Sequence, residues 1–213
     1  MQGGNTLLHH RLARAPDRDT ITTTRGDALR TAALAAGGAI AAVTAVGAAE
    51  RLNAAPSPEQ DVQVLNLLLL VERVEVAFYE AAIENAGLTQ ELQEYAETVL
   101  SHEQEHVSYL ENALGDKAAP APQYDPSGVT GDPDVFAKTA ARLEDIAVGA
   151  YNGQAANVTP GAFLAAARIV SVEARHAAWI RSIRDADPAP DAVDVPYSER
   201  RVTRELRAIG LAS

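Results

Sequence analysis

Four long helical segments, joined in pairs by very short turns, are the feature of this sequence that most restricts its fold. Each segment carries apolar residues at helical spacing and begins at a Ser, Thr or Asp that can cap it. Because only a few residues separate the segments of a pair, each pair must form an antiparallel hairpin. The predicted segments span about residues 59–85, 89–114, 132–156 and 159–184. The predicted caps are Ser57, Thr89, Asp132 and Thr159.

The link between the two hairpins is long, about 16 residues rich in proline and glycine. At ~3.3 Å per residue it reaches roughly 50 Å, which exceeds the ~38 Å length of a 25-residue helix. The sequence therefore predicts an all-α fold, a four-helix bundle whose two hairpins are joined by one long crossover. A short amphipathic helix is predicted near residues 198–209, with Val202, Leu206 and Ile209 facing inward.

The first 55 residues lack this helical pattern, so three parts are predicted: an N-terminal region 1–55, the bundle 56–187 and a C-terminal extension 188–213. Residues 1–24 are polar and predicted to be disordered. Arg25 and Arg30 then precede an Ala- and Gly-rich run, which is typical of an export signal peptide. The segment resembles a twin-arginine leader, although Gly26 stands where the second arginine belongs. Export to the periplasm or cell envelope is the favoured interpretation. The alternatives are a retained N-terminal membrane anchor, or a helix or tail in a cytoplasmic protein.

Composition excludes several classes of protein. The chain of 213 residues contains no cysteine, which rules out disulfides, iron–sulfur clusters and thiolate metal sites. A formal net charge of -11 argues against nucleic acid as a partner, because phosphate binding requires a basic surface. Such an acidic chain can instead attract cations.

A glutamate motif appears twice along the four segments. The first and third segments each carry a Glu followed seven residues later by a Tyr, and the second and fourth each carry Glu-x-x-His. Both spacings place the paired side chains on one face of a helix. The two halves therefore look like an internal repeat related by a pseudo-twofold axis. The pairs are Glu72 with Tyr79, Glu103 with His106, Glu144 with Tyr151, and Glu173 with His176.

The surroundings of Glu72 point to metal binding. It lies in the apolar stretch LLLLVERV, where an unpaired carboxylate would cost several kcal/mol to bury. Two divalent cations would neutralise four glutamates, and carboxylate with imidazole ligands suits iron or manganese. The predicted ligands are therefore the four glutamates and two histidines of the motif. The alternative is that Glu72 and Glu144 pair with the neighbouring Arg73 and Arg142.

The stretches LLLLVERVEVAFYEAA, LSHEQEHVSYLENALG, TAARLEDIAVGAYNG and AARIVSVEARHAAWIR, within about residues 60–184, resemble the ferritin-like superfamily. More narrowly, they are similar to the bacterial "ferritin-like domain" proteins, which are often exported and include desiccation-related members. The resemblance implies the bundle and a dinuclear metal centre. It implies no single reaction, because relatives store iron, reduce or dismutate peroxides, or have no known activity.

Several other residues have competing interpretations. Glu75 shares the inward face of its segment, and it is either an extra ligand or a surface acid. His102 and Glu105 flank the motif without a counterpart in the repeat, so they are predicted to be exposed. Trp179 is predicted to lie in the core.

Tyr79 and Tyr151 are predicted to donate hydrogen bonds to ligand carboxylates, with ordinary core packing as the alternative.

Two functions from different classes follow. The first is an oxidoreductase of the ferroxidase, peroxidase or manganese-catalase type, which reacts with O2 or peroxide and protects against oxidative stress. Because the chain has no cysteine for a second iron centre, this function needs an external electron donor. The alternative is a structural, stress-protective or metal-sequestering bundle without turnover. A homodimer is one allowed assembly.

Overall fold

The computed structural model describes residues 55–210, and the predicted disordered region and export signal lie outside them. The described residues form α-helices and no strand, which confirms the predicted all-α class. Among them, no helix has both the length and the apolar character needed to cross a membrane. The helices are α1 (Pro58–Asn85), α2 (Gln90–Leu114), α3 (Pro133–Gln154), α4 (Pro160–Ile183) and α5 (Glu199–Arg207).

The first four helices form the predicted bundle. Helices α1 and α2 pack most extensively against each other, and so do α3 and α4, as expected for hairpins. The two hairpins meet through the pairs α1–α3 and α2–α4. Helix α1 has buried residues on almost every side, which explains its nearly continuous run of apolar residues. The helix boundaries lie within two residues of those predicted, because strong local signals mark them. Ser57 accepts a hydrogen bond from the Gln60 amide, and Gly115 ends α2 with a φ of 54°.

The N-cap position of α4 predicted for Thr159 is confirmed, but the capping hydrogen bond expected from its side chain is absent. Its hydroxyl instead donates to Asp61 Oδ2 of α1 at 2.6 Å, and its amide donates to Asp61 Oδ1 at 2.8 Å. A hydrogen bond to a carboxylate is stronger than the neutral bond that a capping hydroxyl forms with a backbone amide. The bonds to Asp61 therefore connect the start of α4 to α1.

The crossover runs along the hairpin of α1 and α2. Asn66 of α1 donates to the Lys117 carbonyl at 3.0 Å and accepts from the Ala119 amide at 2.6 Å. Arg73 donates to the Ala119 carbonyl at 2.6 Å. These side chains satisfy backbone groups that have no helical partner, so they hold the start of the crossover against α1.

Helix α5 packs on α3 and α1, and the inward residues predicted for it are all buried, namely Val202, Leu206 and Ile209. The segment before α5 lies directly on α3, where the Tyr197 amide donates to the Gly149 carbonyl at 2.8 Å. A Cβ added at Gly153 would lie 1.9 Å from the Tyr197 carbonyl oxygen. Glycine at this position therefore permits a close backbone approach that any side chain would block.

Replacing Gly153 by Ala is expected to destabilise the fold by about 1–3 kcal/mol, because the new methyl group overlaps backbone. Gly161, at the start of α4, is the matched control, since a methyl group added there would meet nothing within 4 Å. Gly161→Ala should be neutral or stabilise the protein by up to about 1 kcal/mol. Urea unfolding of both variants tests this, and equal effects would show that Tyr197 does not dock on α3.

Candidate metal centre

The four long helices bring the six predicted ligand residues together in the middle of the bundle. The glutamates are completely buried, and the two histidines are 9% and 3% exposed. Burial of so many ionisable groups is costly unless they compensate one another or bind a cation. The residues are Glu72 from α1, Glu103 and His106 from α2, Glu144 from α3, and Glu173 and His176 from α4.

Their inward atoms form two groups, and each group contains the Nδ1 atom of one histidine. His106 Nδ1 lies 3.3 Å from Glu72 Oε2, 2.8 Å from Glu103 Oε2 and 2.9 Å from Glu173 Oε1.

His176 Nδ1 forms the second group. It lies 3.0 Å from Glu103 Oε1, 3.4 Å from Glu144 Oε2 and 3.7 Å from Glu173 Oε2. Glu103 and Glu173 therefore place one oxygen in each group, whereas Glu72 and Glu144 each serve one group. Each group could hold a metal ion. We refer to Glu103 and Glu173 as the bridging glutamates because they reach both groups, and to Glu72 and Glu144 as the terminal glutamates.

The spacing of these atoms fits metal coordination. Atoms that each bind one ion at about 2.1 Å are separated from one another by roughly 3.0–3.4 Å. Within each group the ligand atoms lie within 4.8 Å of one another, and the distances from Nδ1 bracket that range.

Many buried polar atoms of the cluster have no hydrogen-bond partner. Buried atoms without a hydrogen-bond partner are costly, so their convergence within the two groups indicates that a cation can bind there. Such atoms include Glu72 Oε2, Glu103 Oε1, Glu144 Oε2, both oxygens of Glu173, and His176 Nδ1.

Tyrosine hydroxyls orient the two terminal glutamates from the opposite hairpin. The Tyr151 hydroxyl of α3 donates to Glu72 Oε1 of α1, and the Tyr79 hydroxyl of α1 donates to Glu144 Oε1 of α3. Each bond holds one carboxylate oxygen, which leaves the other oxygen directed at the cluster. Tyr95 of α2 adds a second hydroxyl, 3.3 Å from Glu144 Oε1 and 3.0 Å from the Tyr79 hydroxyl.

The arginine alternative is wrong for both terminal glutamates. Arg73 pairs with Glu111 at 2.7 Å, and Arg142 pairs with Glu205 at 2.7 Å, on the outside of the bundle. Within the described residues, no arginine forms an ion pair with Glu72 or Glu144.

Without a cation, protons must compensate the charges of the cluster. Burial raises the pKa of Glu72 well above its ordinary value, and repulsion from Glu173 adds to the shift. Burial likewise raises the pKa of Glu144 to about 8, although the close contact with His176 opposes it.

The histidines and one bridging glutamate shift in the opposite sense. Burial lowers the pKa of His106 and of His176, but close contacts with the surrounding carboxylates outweigh it and raise both to about 12. Burial raises the pKa of Glu103, but its close contacts with the two histidines outweigh burial and hold that pKa at about 2. The side chains of the metal-free cluster therefore hold protons, and a cation would displace them.

Glu75 lies one turn after Glu72 and is completely buried, so its interpretation as a surface acid is wrong. Neither of its oxygens has a hydrogen-bond partner. Burial and repulsion from Glu103 raise its pKa well above its ordinary value. It stands outside the two four-atom groups, as a further buried carboxyl group of α1.

Two other expectations need correction. Trp179 is 38% exposed rather than in the core, because one edge packs on Tyr95, with ring centroids 5.1 Å apart, while the rest of the large ring faces outward. His102 is only partly exposed, and its Nδ1 lies 2.9 Å from His176 Nε2. Glu105 is exposed, as predicted.

The fold and the cluster define a class: a four-helix bundle with a buried carboxylate and histidine site between its hairpins, which could hold metal. The family model "Ferritin-like domain" matches residues 60–186, more than half of the chain, and the chain belongs to this family. That assignment confirms the resemblance seen in the sequence. A comparison with curated proteins gave no significant match.

Proposed function

We propose that this protein holds two iron or manganese ions and uses them in redox chemistry with O2 or hydrogen peroxide, in protection against oxidative stress. The observation that carries the proposal is the pair of four-atom groups that share Glu103 and Glu173. A buried site for two cations with like ligand sets is suited to two-electron chemistry, because each ion can change its charge by one.

Different residues of the chain would hold the ions, orient the ligands and supply protons. Glu103 and Glu173 would hold the two ions at a fixed separation, and the tyrosine hydroxyls on Glu72 and Glu144 would keep the terminal carboxylates in place. When bound, a reduced pair of ions supplies the two electrons that convert hydrogen peroxide to two water molecules. Glu75 is a candidate to supply a proton, because burial raises the pKa of its carboxyl group well above the ordinary value.

Access to the site favours a very small oxidant. The carboxylates are completely buried, while His106 exposes 11% of its side chain and forms the part of the cluster closest to solvent. O2 and peroxide are small enough to enter by such an edge, whereas an organic substrate is not. Return of the ions to the reduced state would require an external electron donor.

The same deep burial also supports a second candidate, in which the ions only connect the helices and no turnover occurs. In that case metal would raise stability without reacting. Export of the protein to the cell envelope, where it would meet oxidants or desiccation, is a further part of the proposal and does not depend on the choice between these candidates.

Rapid mixing of the anaerobic Fe(II)-loaded protein with hydrogen peroxide separates the two candidates. The redox proposal predicts that one peroxide oxidises two bound Fe(II) ions, with two protons consumed and two waters formed, faster than free Fe(II) reacts in the same buffer. Exposed Glu105→Gln should behave as wild type, while Glu72→Gln should be slower. Bound iron that reacts no faster than free iron would favour the structural role.

A further inference from the structure

A histidine pair links the second group of ligand atoms to the bundle surface. His102 Nδ1 of α2 lies 2.9 Å from His176 Nε2 of α4, and the two rings are inclined by only 12°. This contact falls on the nitrogen of His176 that faces away from the cluster, since His176 Nδ1 lies 3.0 Å from Glu103 Oε1. His102 therefore touches the ligand residue from outside and does not compete for a cation.

Binding of a cation at His176 Nδ1 determines the direction of this hydrogen bond. A metal takes the unprotonated nitrogen of imidazole, so the hydrogen of neutral His176 must sit on Nε2. Nε2–H then donates to His102 Nδ1, which must be the accepting nitrogen of its own ring. Such a bond fixes the ring orientation of the ligand and raises its basicity.

The other histidine ligand has no equivalent support. Within residues 55–210, no hydrogen bond is formed by His106 Nε2. The sequence explains the difference, because the repeat places Val172 in α4 where His102 stands in α2, one residue before the bridging glutamate. Valine offers no acceptor, so the pseudo-twofold symmetry of the ligands does not extend to their supporting residues.

We propose that His102 is a positioning residue that orients His176 and makes the two metal positions unequal, with the position at His176 the tighter one. This inference rests on the proposed two-ion site. It concerns the difference between the two positions rather than whether ions bind.

Calorimetric titration of the full-length metal-free protein with Mn(II) tests the inference. In the wild type we expect two binding events of different affinity. Replacement of His102 by Leu removes the acceptor and should weaken the tighter event by about 10–100-fold, while the other event stays unchanged. Replacement by Gln keeps an accepting oxygen and should restore most of the affinity. Exposed Glu105→Gln, three residues further along α2, is the matched control and should match the wild type.

The outcomes distinguish this inference from the function on which it rests. If the wild type binds no Mn(II), the two-ion site itself is wrong. If it binds two ions and His102→Leu leaves both affinities unchanged, or lowers both equally, only the role of His102 is wrong. Failure of His102→Gln to recover affinity while His102→Leu loses it would also overturn that role, because the effect would then not depend on an acceptor.

Discussion

Metal-free protein should be less stable than Mn(II)-loaded protein, and the difference should grow as pH rises from 5 to 8. A ligand that binds only the folded state at about 1,000 times its dissociation constant adds about 4 kcal/mol of stability. At low pH the protons of the cluster take the place of the cations, so the difference is smallest there.

The pKa shifts give the sign of this effect. Glu72 and Glu144 have folded pKa values above the unfolded value of 4.5, and that of Glu144 reaches about 8. The folded protein therefore binds more protons than the unfolded chain within this interval, so metal-free stability falls as pH rises through it.

His106 and His176 act in the same direction. Their folded pKa values are raised to about 12, so their stabilisation is complete below the unfolded value of 6.5 and is lost as pH rises towards 12. Glu103 behaves oppositely, but its stabilisation is lost only as pH falls from 4.5 towards 2, outside the tested interval.

Chemical unfolding of metal-free and Mn(II)-loaded samples at several pH values between 5 and 8 measures the difference. The double variant His106→Ala with His176→Ala is the control, because it removes one ligand from each group and should abolish most of the difference. A difference that is constant or shrinks with rising pH would contradict the account of the cluster as a set of displaceable protons.

Loss of one bridging glutamate should remove both metal ions, whereas loss of one terminal glutamate should remove one. Glu103 contributes an oxygen to each group, and Glu72 contributes to only one. Glu103→Ala is therefore expected to bind almost no Mn(II), and Glu72→Ala to keep about one ion per chain. Both changes remove a completely buried carboxylate of the same size, so Glu72→Ala also controls for the cavity.

Elemental analysis after removal of excess metal measures this result, with circular dichroism to confirm that both variants remain helical. Equal metal contents in the two variants would show that the bridging and terminal assignments are incorrect.

The bundle and the convergence of the ligand residues could be predicted because both depend on local rules. Cap residues and turn lengths determine the hairpins, and the seven- and three-residue spacings place Glu72 with Tyr79 and Glu103 with His106 on inward faces. Repetition in the second half makes the pattern specific.

Contacts between helices could not be predicted in the same way. Helical spacing shows which residues share a face but not which residue of a neighbouring helix they meet. Tyr79 contacts Glu144 across the bundle rather than Glu72 of its own helix. Tyr95 and His102 belong to no repeated motif, and only the packing of α2 brings them to Glu144 and His176.

The number of metal ions per chain tests the central claim most directly. Metal-free protein would be incubated anaerobically with Mn(II), separated from unbound metal and analysed for manganese and protein in the same sample. The shared positions of Glu103 and Glu173 predict two ions per chain. A content near zero, or one ion per chain that does not increase with excess Mn(II), would contradict a site in which these two carboxylates bridge a pair of cations.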